Sequence, residues 1–180
     1  MRPWKLLNAS LLISAPPWLK VFCERVELPN GRVLDDFYRV VLPDFAVIVA
    51  VTPDRRLVMV RGYKHGLGRI TLTAPAGIIE PGESPLVAAQ RELLEETGYT
   101  ASEWVCLGHF MVDGNHQCGT THLFLARNAR WVTPSISDGL EEVEVELMSP
   151  HCFVQNIREG DIALLASISA IALAMVNGLE

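Results

Sequence analysis

Three glutamates near the middle of the chain are spaced as a cation site would require. Glu92, Glu95 and Glu96 stand at positions i, i+3 and i+4, so on a helix their carboxylates project from one face toward a common point. Like charges at this spacing destabilise a helix. The pattern therefore leaves two interpretations, a solvated acidic face or a site for a divalent cation. Mg²⁺ prefers hard oxygen ligands and is commonly held by one or two carboxylates together with substrate phosphates.

Two charged neighbours favour the cation site. Arg91 directly precedes Glu92 and stands one turn before Glu95, where a guanidinium can orient a carboxylate. Glu83 lies just before the helix and can add a ligand or align one.

A glycine follows a strand end just upstream of this helix. The segment Ala74-Pro75-Ala76-Gly77 indicates a strand that gives way to a loop. Gly77 lets the backbone approach a metal or a phosphate closely, and the carbonyl of Ala76 is then available as an oxygen ligand.

Together these residues match a motif of fixed spacing, G-x5-E-x7-R-E-U-x-E-E-x-G-U, in which U is aliphatic. Only the final position departs from it, because Tyr99 stands there. The pattern resembles the Nudix box. Its matching residues are Gly77, Glu83, Arg91, Glu92, Leu93, Glu95, Glu96 and Gly98.

The resemblance implies a Nudix hydrolase, which cleaves a pyrophosphate linked to another moiety with Mg²⁺ or Mn²⁺. It implies that Glu92, Glu95 and Glu96 are metal ligands, that Glu95 is also catalytic, and that the Ala76 carbonyl completes the site. Gly77, Glu83 and Arg91 would have supporting roles. Metal-assisted attack of water on a pyrophosphate needs no covalent intermediate, so no cysteine or serine is assigned as a nucleophile.

A second acidic segment, residues 138–146, precedes the last predicted strand. The family resemblance implies that a loop at this place provides a glutamate that acts on the attacking water. Glu141 and Glu142 are the best matches, and both are candidate catalytic residues. Glu144 and Glu146 alternate along the strand and are expected to face solvent.

Segments outside the motif suggest the substrate. Residues 60–64, residues 121–126 and the N-terminal hairpin resemble the branch of the family that hydrolyses ADP-ribose and nucleoside-diphosphate sugars, over roughly residues 15–175 of this chain. The resemblance implies a homodimer joined through the N-terminal sheet, and ADP-ribose as substrate, with AMP and ribose 5-phosphate as products. Arg61 and His116 are candidate substrate-binding residues.

Alternatives to ADP-ribose stay open at this stage. The chain has Thr73-Ala74-Pro75-Ala76-Gly77 where relatives often have Glu-Leu-Pro-Ala-Gly, and residues 112–118 contain no proline where ADP-ribose-specific relatives usually have one. Another nucleotide sugar, such as ADP-glucose or GDP-mannose, is one alternative. A non-catalytic ligand-binding regulator with the same fold is the other.

The elements that must position these residues alternate between strands and helices. Residues 21–27 and 37–42 alternate apolar and polar side chains around Asn30-Gly31, which predicts a hairpin. Ser84-Pro85 and Gly98 mark the start and stop of the central helix. Further segments are predicted as strands (45–51, 57–60, 70–72, 104–110, 122–126 and 143–148), as a basic loop (61–69) and as a C-terminal helix (162–176).

These elements predict an α/β protein, a Nudix-type α/β/α sandwich with a mixed sheet, preceded by a small N-terminal antiparallel β-sheet. The expected division is an N-terminal dimerisation region over residues 1–43 and a Nudix domain over residues 44–180.

Composition limits the partners. The 180 residues include 15 Lys and Arg against 21 Asp and Glu, for a formal net charge of −6, which argues against nucleic-acid binding. Apolar residues make up 49% of the chain, which excludes intrinsic disorder. The apolar stretch 162–176 is too short for a bilayer span, so no membrane partner is expected. The four cysteines are widely spaced and predict free thiols in a cytoplasmic protein.

Overall fold

A computed structural model describes residues 1–136 and 142–179, which form two units. Unit 1 comprises Met1–Asp44 and Phe110–Thr120, and unit 2 comprises Phe45–His109 and the chain from Thr121 onward. The predicted boundary after residue 43 stays a prediction as a division into functional domains.

Unit 1 is built on an antiparallel three-stranded arrangement. Strand β1 (Lys5–Ala15) pairs with β2 (Leu19–Glu27), and β2 pairs with β3 (Val33–Val41). The turn between β2 and β3 contains Gly31 with a φ of 83°, a left-handed conformation that glycine adopts without strain. The predicted hairpin is confirmed. Strand β1 was not predicted, because polar residues interrupt its apolar ones without regular alternation.

Unit 2 contains a mixed sheet in the order β10-β4-β5-β12. Strand β10 runs parallel to β4, whereas β4–β5 and β5–β12 are antiparallel pairs. The remaining strands add to these or pair with each other. The strands that follow β3 are β4 (Phe45–Val51), β5 (Leu57–Lys64), β6 (Arg69–Thr73), β7 (Ala76–Ile78), β8 (Tyr99–Thr100), β9 (Glu103–Asp113), β10 (Gln117–Arg127), β11 (Arg130–Trp131) and β12 (Val143–Met148).

Helices cover both faces of this sheet. They are α1 (Pro85–Thr97), α2 (Phe153–Arg158) and α3 (Leu165–Val176), and a short 3-10 turn (Pro150–Cys152) leads into α2. Side chains of β4 alternate between two cores. Ala46 and Ile48 pack with Leu93 of α1, and Val47 packs with Ile171 of α3. The α/β/α sandwich expected from the sequence is therefore present.

Several element bounds differ from expectation. Strand β4 has the predicted bounds, and α1 has its predicted start. The predicted basic loop 61–69 is wrong for residues 61–64, which continue β5. Strand β6 pairs with all four of them, and β12 pairs with Arg61 and Gly62. Helix α3 begins later than predicted, and α2 was not predicted.

The apolar C-terminal segment packs inside the protein. Ile171 and Ala174 are fully buried in the core below β4. Within the described part of the chain, no helix has the length and apolar character needed to cross a membrane. All four cysteines are free, with Cys106 and Cys152 exposed. The cytoplasmic location stays a prediction.

Candidate functional site

Helix α1 presents the three spaced glutamates, and both of its ends are fixed by the local sequence. The Ser84 hydroxyl accepts a hydrogen bond from the backbone N–H of Val87 at 3.3 Å. Gly98 adopts a φ of 72° and donates its N–H to the Leu94 carbonyl at 2.8 Å. These caps satisfy backbone groups that a helix end leaves without partners.

Arg91 is the centre of the carboxylate cluster. Its guanidinium bonds Glu83 through two N–H groups at 3.0 Å each, Glu92 at 2.6 Å and Glu95 at 3.1 Å. A further N–H reaches the Ile78 carbonyl at 3.0 Å. A guanidinium has five N–H donors, so all of them are used. These contacts raise the pKa of Arg91 above its usual range and lower the pKa of the Glu83 carboxyl.

Glu92 is largely buried and lies against Gly77. Only 14% of its side chain is exposed, and burial raises its pKa, an effect that the Arg91 guanidinium opposes. A Cβ placed on Gly77 would lie 1.9 Å from the Glu92 Cδ. Only glycine therefore leaves room for this carboxylate, which gives the predicted role of Gly77 a steric reason.

The strand that contains Gly77 also contacts Glu96, although the sequence predicted a loop at this place. The backbone N–H of Ala76 donates to the Glu96 carboxylate at 2.9 Å. Ala76 belongs to β7, which pairs with β4 at Val47. The strand end and the helix therefore meet through two neighbouring contacts, Ala76 with Glu96 and Gly77 with Glu92.

The donor set fits a hard divalent cation in its chemistry. Glu92 and Glu95 share one nitrogen of Arg91, and the carboxylates of Glu92 and Glu96 lie against Gly77 and Ala76 of β7. Among residues 1–136 and 142–179, however, no three His, Cys, Asp or Glu side chains stand in a ready-made metal-binding arrangement. In this structure Arg91 binds one carboxylate oxygen each of Glu92 and Glu95, and the Ala76 N–H binds one of Glu96.

The second acidic segment, residues 138–146, leads into β12. Glu141 lies outside the described residues. Glu142 is exposed and directly precedes β12. Glu144 is exposed, as expected, whereas Glu146 is partly buried and its carboxylate binds Arg61. The Glu146 side chain is 38% exposed, so the expected solvent-facing position is met only in part.

The two candidate substrate-binding residues have side chains engaged elsewhere. Arg61 binds Glu146 and Asp161. In unit 1, the His116 ring stacks on Phe37 with centroids 6.2 Å apart, and its Nδ1 lies 3.2 Å from a carboxylate oxygen of Asp113. Substrate contact by His116 stays a prediction.

Two further features of unit 2 were not predicted from the sequence. His109 and His122 stack with ring centroids 5.8 Å apart, and they lie on the paired strands β9 and β10. A cavity of about 440 Å³ lies at the C-terminal end of α1 and contains none of the predicted site residues. Its lining residues are Thr97, Tyr99, Trp131, Pro134, Ser135, Val145 and Leu147.

Comparison with known proteins identifies the family. Residues 42–167 match the Nudix domain. The chain belongs to the Nudix family. The resemblance of the motif is thereby confirmed, and the motif residues described above lie within the matched range.

Two relatives of this Nudix chain carry names that describe different activities. It is 36% identical over 108 residues to an ADP-ribose pyrophosphatase of Bacillus subtilis, which covers 60% of this chain and 58% of that protein. It is 34% identical over 111 residues to a methanol dehydrogenase activator of Bacillus methanolicus, with 61% and 58% covered. The matched region thus spans less than two thirds of the length of either relative.

A solved structure confirms the fold. The crystal structure of an ADP compounds hydrolase superposes with a TM-score of 0.83 and covers 100% of this chain and 98% of its own, at 22% identity. The Nudix-type α/β/α fold class is therefore confirmed.

Proposed function

We propose that this Nudix chain hydrolyses the pyrophosphate bond of a nucleoside diphosphate linked to another moiety, with Mg²⁺ or Mn²⁺ as cofactor. The observation that carries the proposal is that Glu92 and Glu95 share one nitrogen of Arg91, while Glu92 and Glu96 lie against Gly77 and Ala76 of β7. The relative named ADP-ribose pyrophosphatase supports ADP-ribose as the first substrate to test, with ADP-glucose and GDP-mannose as alternatives.

The residues that would hold the cation are Glu92, Glu95, Glu96 and the carbonyl of Ala76. When bound, a divalent cation neutralises pyrophosphate oxygens and lowers the pKa of a bound water. Arg91 orients Glu92 and Glu95 from one nitrogen, and Glu83 holds Arg91 in place through two hydrogen bonds. Gly77 lets the backbone of β7 lie close to the Glu92 carboxylate.

Proton transfer is assigned to the acidic segment before β12. Glu141 or Glu142 would accept the proton of the attacking water. Within the Nudix box, Glu95 would be both a metal ligand and a catalytic residue. Water then adds across the P–O–P bond. With ADP-ribose the two products are AMP and ribose 5-phosphate.

The test is a substrate panel with purified protein. ADP-ribose, ADP-glucose and GDP-mannose are each incubated with Mg²⁺ or Mn²⁺, and the monophosphate products are measured after phosphatase release of inorganic phosphate. We expect turnover of at least one compound. Glu95→Gln and Glu96→Gln should each lower kcat by about 100-fold or more, because each removes a charged oxygen at the reaction centre.

Glu103→Gln is the matched control, because Glu103 is an exposed glutamate that binds Asn128 on another part of unit 2. It should retain wild-type turnover. Activity at the wild-type level in both box variants would contradict the metal assignment. Binding of ADP-ribose without turnover of any compound would contradict the hydrolase and favour the ligand-binding regulator.

A homodimer joined through unit 1 is a further part of the proposal. Every residue of β1 is exposed, including Leu6, Leu11, Leu12 and Ile13. Among the described strands, β1 pairs with β2 alone. An exposed apolar edge strand is a natural pairing surface for a second copy of the chain.

A further inference from the structure

Arg61 joins three segments of unit 2 through one guanidinium. Its Nε and Nη2 donate to the Glu146 carboxylate of β12, and its Nη1 and Nη2 donate to the Asp161 carboxylate at 2.8 and 2.9 Å. Asp161 lies between α2 and α3, and its carbonyl accepts hydrogen bonds from the Thr71 hydroxyl at 2.7 Å and from the Leu72 N–H at 2.9 Å. The contacts therefore connect β5, β12 and β6.

This arrangement leaves little capacity for a substrate phosphate. Four of the five N–H donors of a guanidinium are used by the two carboxylates, so Arg61 has one donor left. A bidentate grip on a phosphate needs two donors. The contacts also raise the pKa of Arg61 and lower the pKa of Asp161, so the guanidinium and the Asp161 carboxylate remain ionised at neutral pH.

Strand β12 depends on this connection more than the central strands do. It lies at the edge of the unit 2 sheet, where β5 is its described pairing partner. Edge strands open more readily than central ones because one side has no ladder. Glu142 directly precedes this strand, and Val143 pairs with Gly62, the residue that follows Arg61.

The start of β12 also lies close to β5. A Cβ placed on Gly62 would be 3.2 Å from Val143 Cγ1 and 3.5 Å from the carbonyl oxygen of Glu142. The backbone of Glu142 thus lies close to Gly62 of β5. Arg61 connects the same two strands four residues further along the chain, at Glu146.

We propose that Arg61 is a positioning residue, which holds β12 and the adjacent Glu142 against β5. In this role Arg61 does not contact the substrate. The inference rests on the proposed function, in which the segment before β12 supplies the group that accepts the proton of water. Loss of Arg61 should therefore lower kcat and leave KM nearly unchanged. Loss of a phosphate ligand would mainly raise KM.

The kinetic test uses Glu146→Gln and Arg61→Gln, each measured on the best substrate of the panel with saturating Mg²⁺. Glu146→Gln is the milder variant, since it keeps the shape of the side chain and leaves the contact between Arg61 and Asp161 intact. We expect each variant to lower kcat by about tenfold, the usual effect of losing an orienting partner, with KM within about twofold of wild type. Arg56→Gln is the control, because Arg56 forms an exposed pair with Asp54 in the turn before β5.

A double variant separates positioning from general loss of structure. If Arg61 acts through Glu142, adding Arg61→Gln to Glu142→Gln should lower kcat by much less than it does in the wild type. The proposal would be overturned if the fold-losses in kcat of the two single variants multiplied in the double variant. It would also be overturned if Arg61→Gln raised KM and preserved kcat.

Hydrogen exchange tests the same inference without activity. Amides of residues 143–148 should exchange about tenfold faster in Glu146→Gln than in wild type, while those of α1 keep their rate. Unchanged exchange in β12 would overturn the proposal even if kcat fell. If the wild-type protein hydrolyses none of the compounds, the proposed function fails on its own, and the exchange result alone decides whether Arg61 holds β12.

Discussion

At the scale of single residues, Arg91 reduces the repulsion among the clustered carboxylates. Glu83, Glu92 and Glu95 surround one guanidinium, and a like-charge cluster of this kind would otherwise destabilise the helix. One positive charge does not neutralise three carboxylates. The remaining negative charge is what a divalent cation would balance.

Gly77→Ala is expected to damage activity more than stability. The new Cβ would meet the far end of the Glu92 side chain, which can rotate away at modest cost but then leaves its place beside Arg91. We expect kcat to fall by about 100-fold and the melting temperature to change by only a few degrees. Steady-state kinetics and thermal denaturation measure the two effects.

Gly66→Ala is the matched control for that substitution. Nothing lies within 4 Å of a Cβ built on Gly66, so this variant should keep both activity and stability. If Gly77→Ala retained wild-type kcat, Glu92 would not need its present position, and its assignment as a ligand would be wrong.

Single residues also show where sequence reasoning stops. The motif predicted that Arg91 lies among carboxylates, since all its partners except one carbonyl belong to the motif. The partners of Arg61 could not be predicted in this way. Glu146 and Asp161 are 85 and 100 residues away in sequence, and only the folded sheet brings them together.

At the scale of elements, the C-terminal end of α1 is fixed by a backbone contact. A Cβ on Gly98 would lie 1.8 Å from the Thr133 carbonyl oxygen. Gly98 also accepts hydrogen bonds from the N–H groups of Val132 and Thr133 at 2.9 and 3.3 Å. The segment before the second acidic region is thus attached to the helix that carries the glutamates.

Gly98→Ala should therefore be strongly destabilising. The positive φ alone costs an alanine about 1–2 kcal/mol, and the clash with a backbone atom cannot be relieved by a side-chain rotation. We expect a total loss of about 3 kcal/mol or more in the free energy of unfolding. Gly68 has the same φ of 72°, but no atom lies within 4 Å of a Cβ built on it. Gly68→Ala should therefore lose only the unfolding free energy that the positive φ costs an alanine. Urea denaturation of both variants measures the difference, and equal losses would exclude the clash.

Elements were predicted well where local pattern and tertiary environment agree. Six of the seven apolar residues of β4 are buried, on both faces of the strand, and a continuous apolar run is typical of such a strand. The end of β5 was missed because Arg61, Gly62 and Lys64 favour a loop by type. Their strand conformation comes from pairing with β6 and β12, which the local sequence does not contain.

At the scale of the whole molecule, charge is divided unevenly along the chain. More than half of the acidic residues lie in residues 80–103 and 138–146, where Arg91 is the only basic residue. The modest net charge of −6 thus hides two concentrated acidic segments. One of them forms the cluster around Arg91, and the other precedes and enters β12 and supplies Glu146 to Arg61.

The exposed strand β1 gives a test of assembly. Because Leu12 lies 54% exposed on this edge strand, a charge there would be buried without a partner in a dimer formed through β1. The wild-type protein should have twice the 19.9 kDa mass of one chain by light scattering coupled to size exclusion, and Leu12→Glu should have the mass of one chain. Leu165→Glu, at a site 74% exposed at the start of α3, should remain dimeric. A wild-type mass of one chain, or a Leu12→Glu variant that stays dimeric, would exclude β1 as the interface.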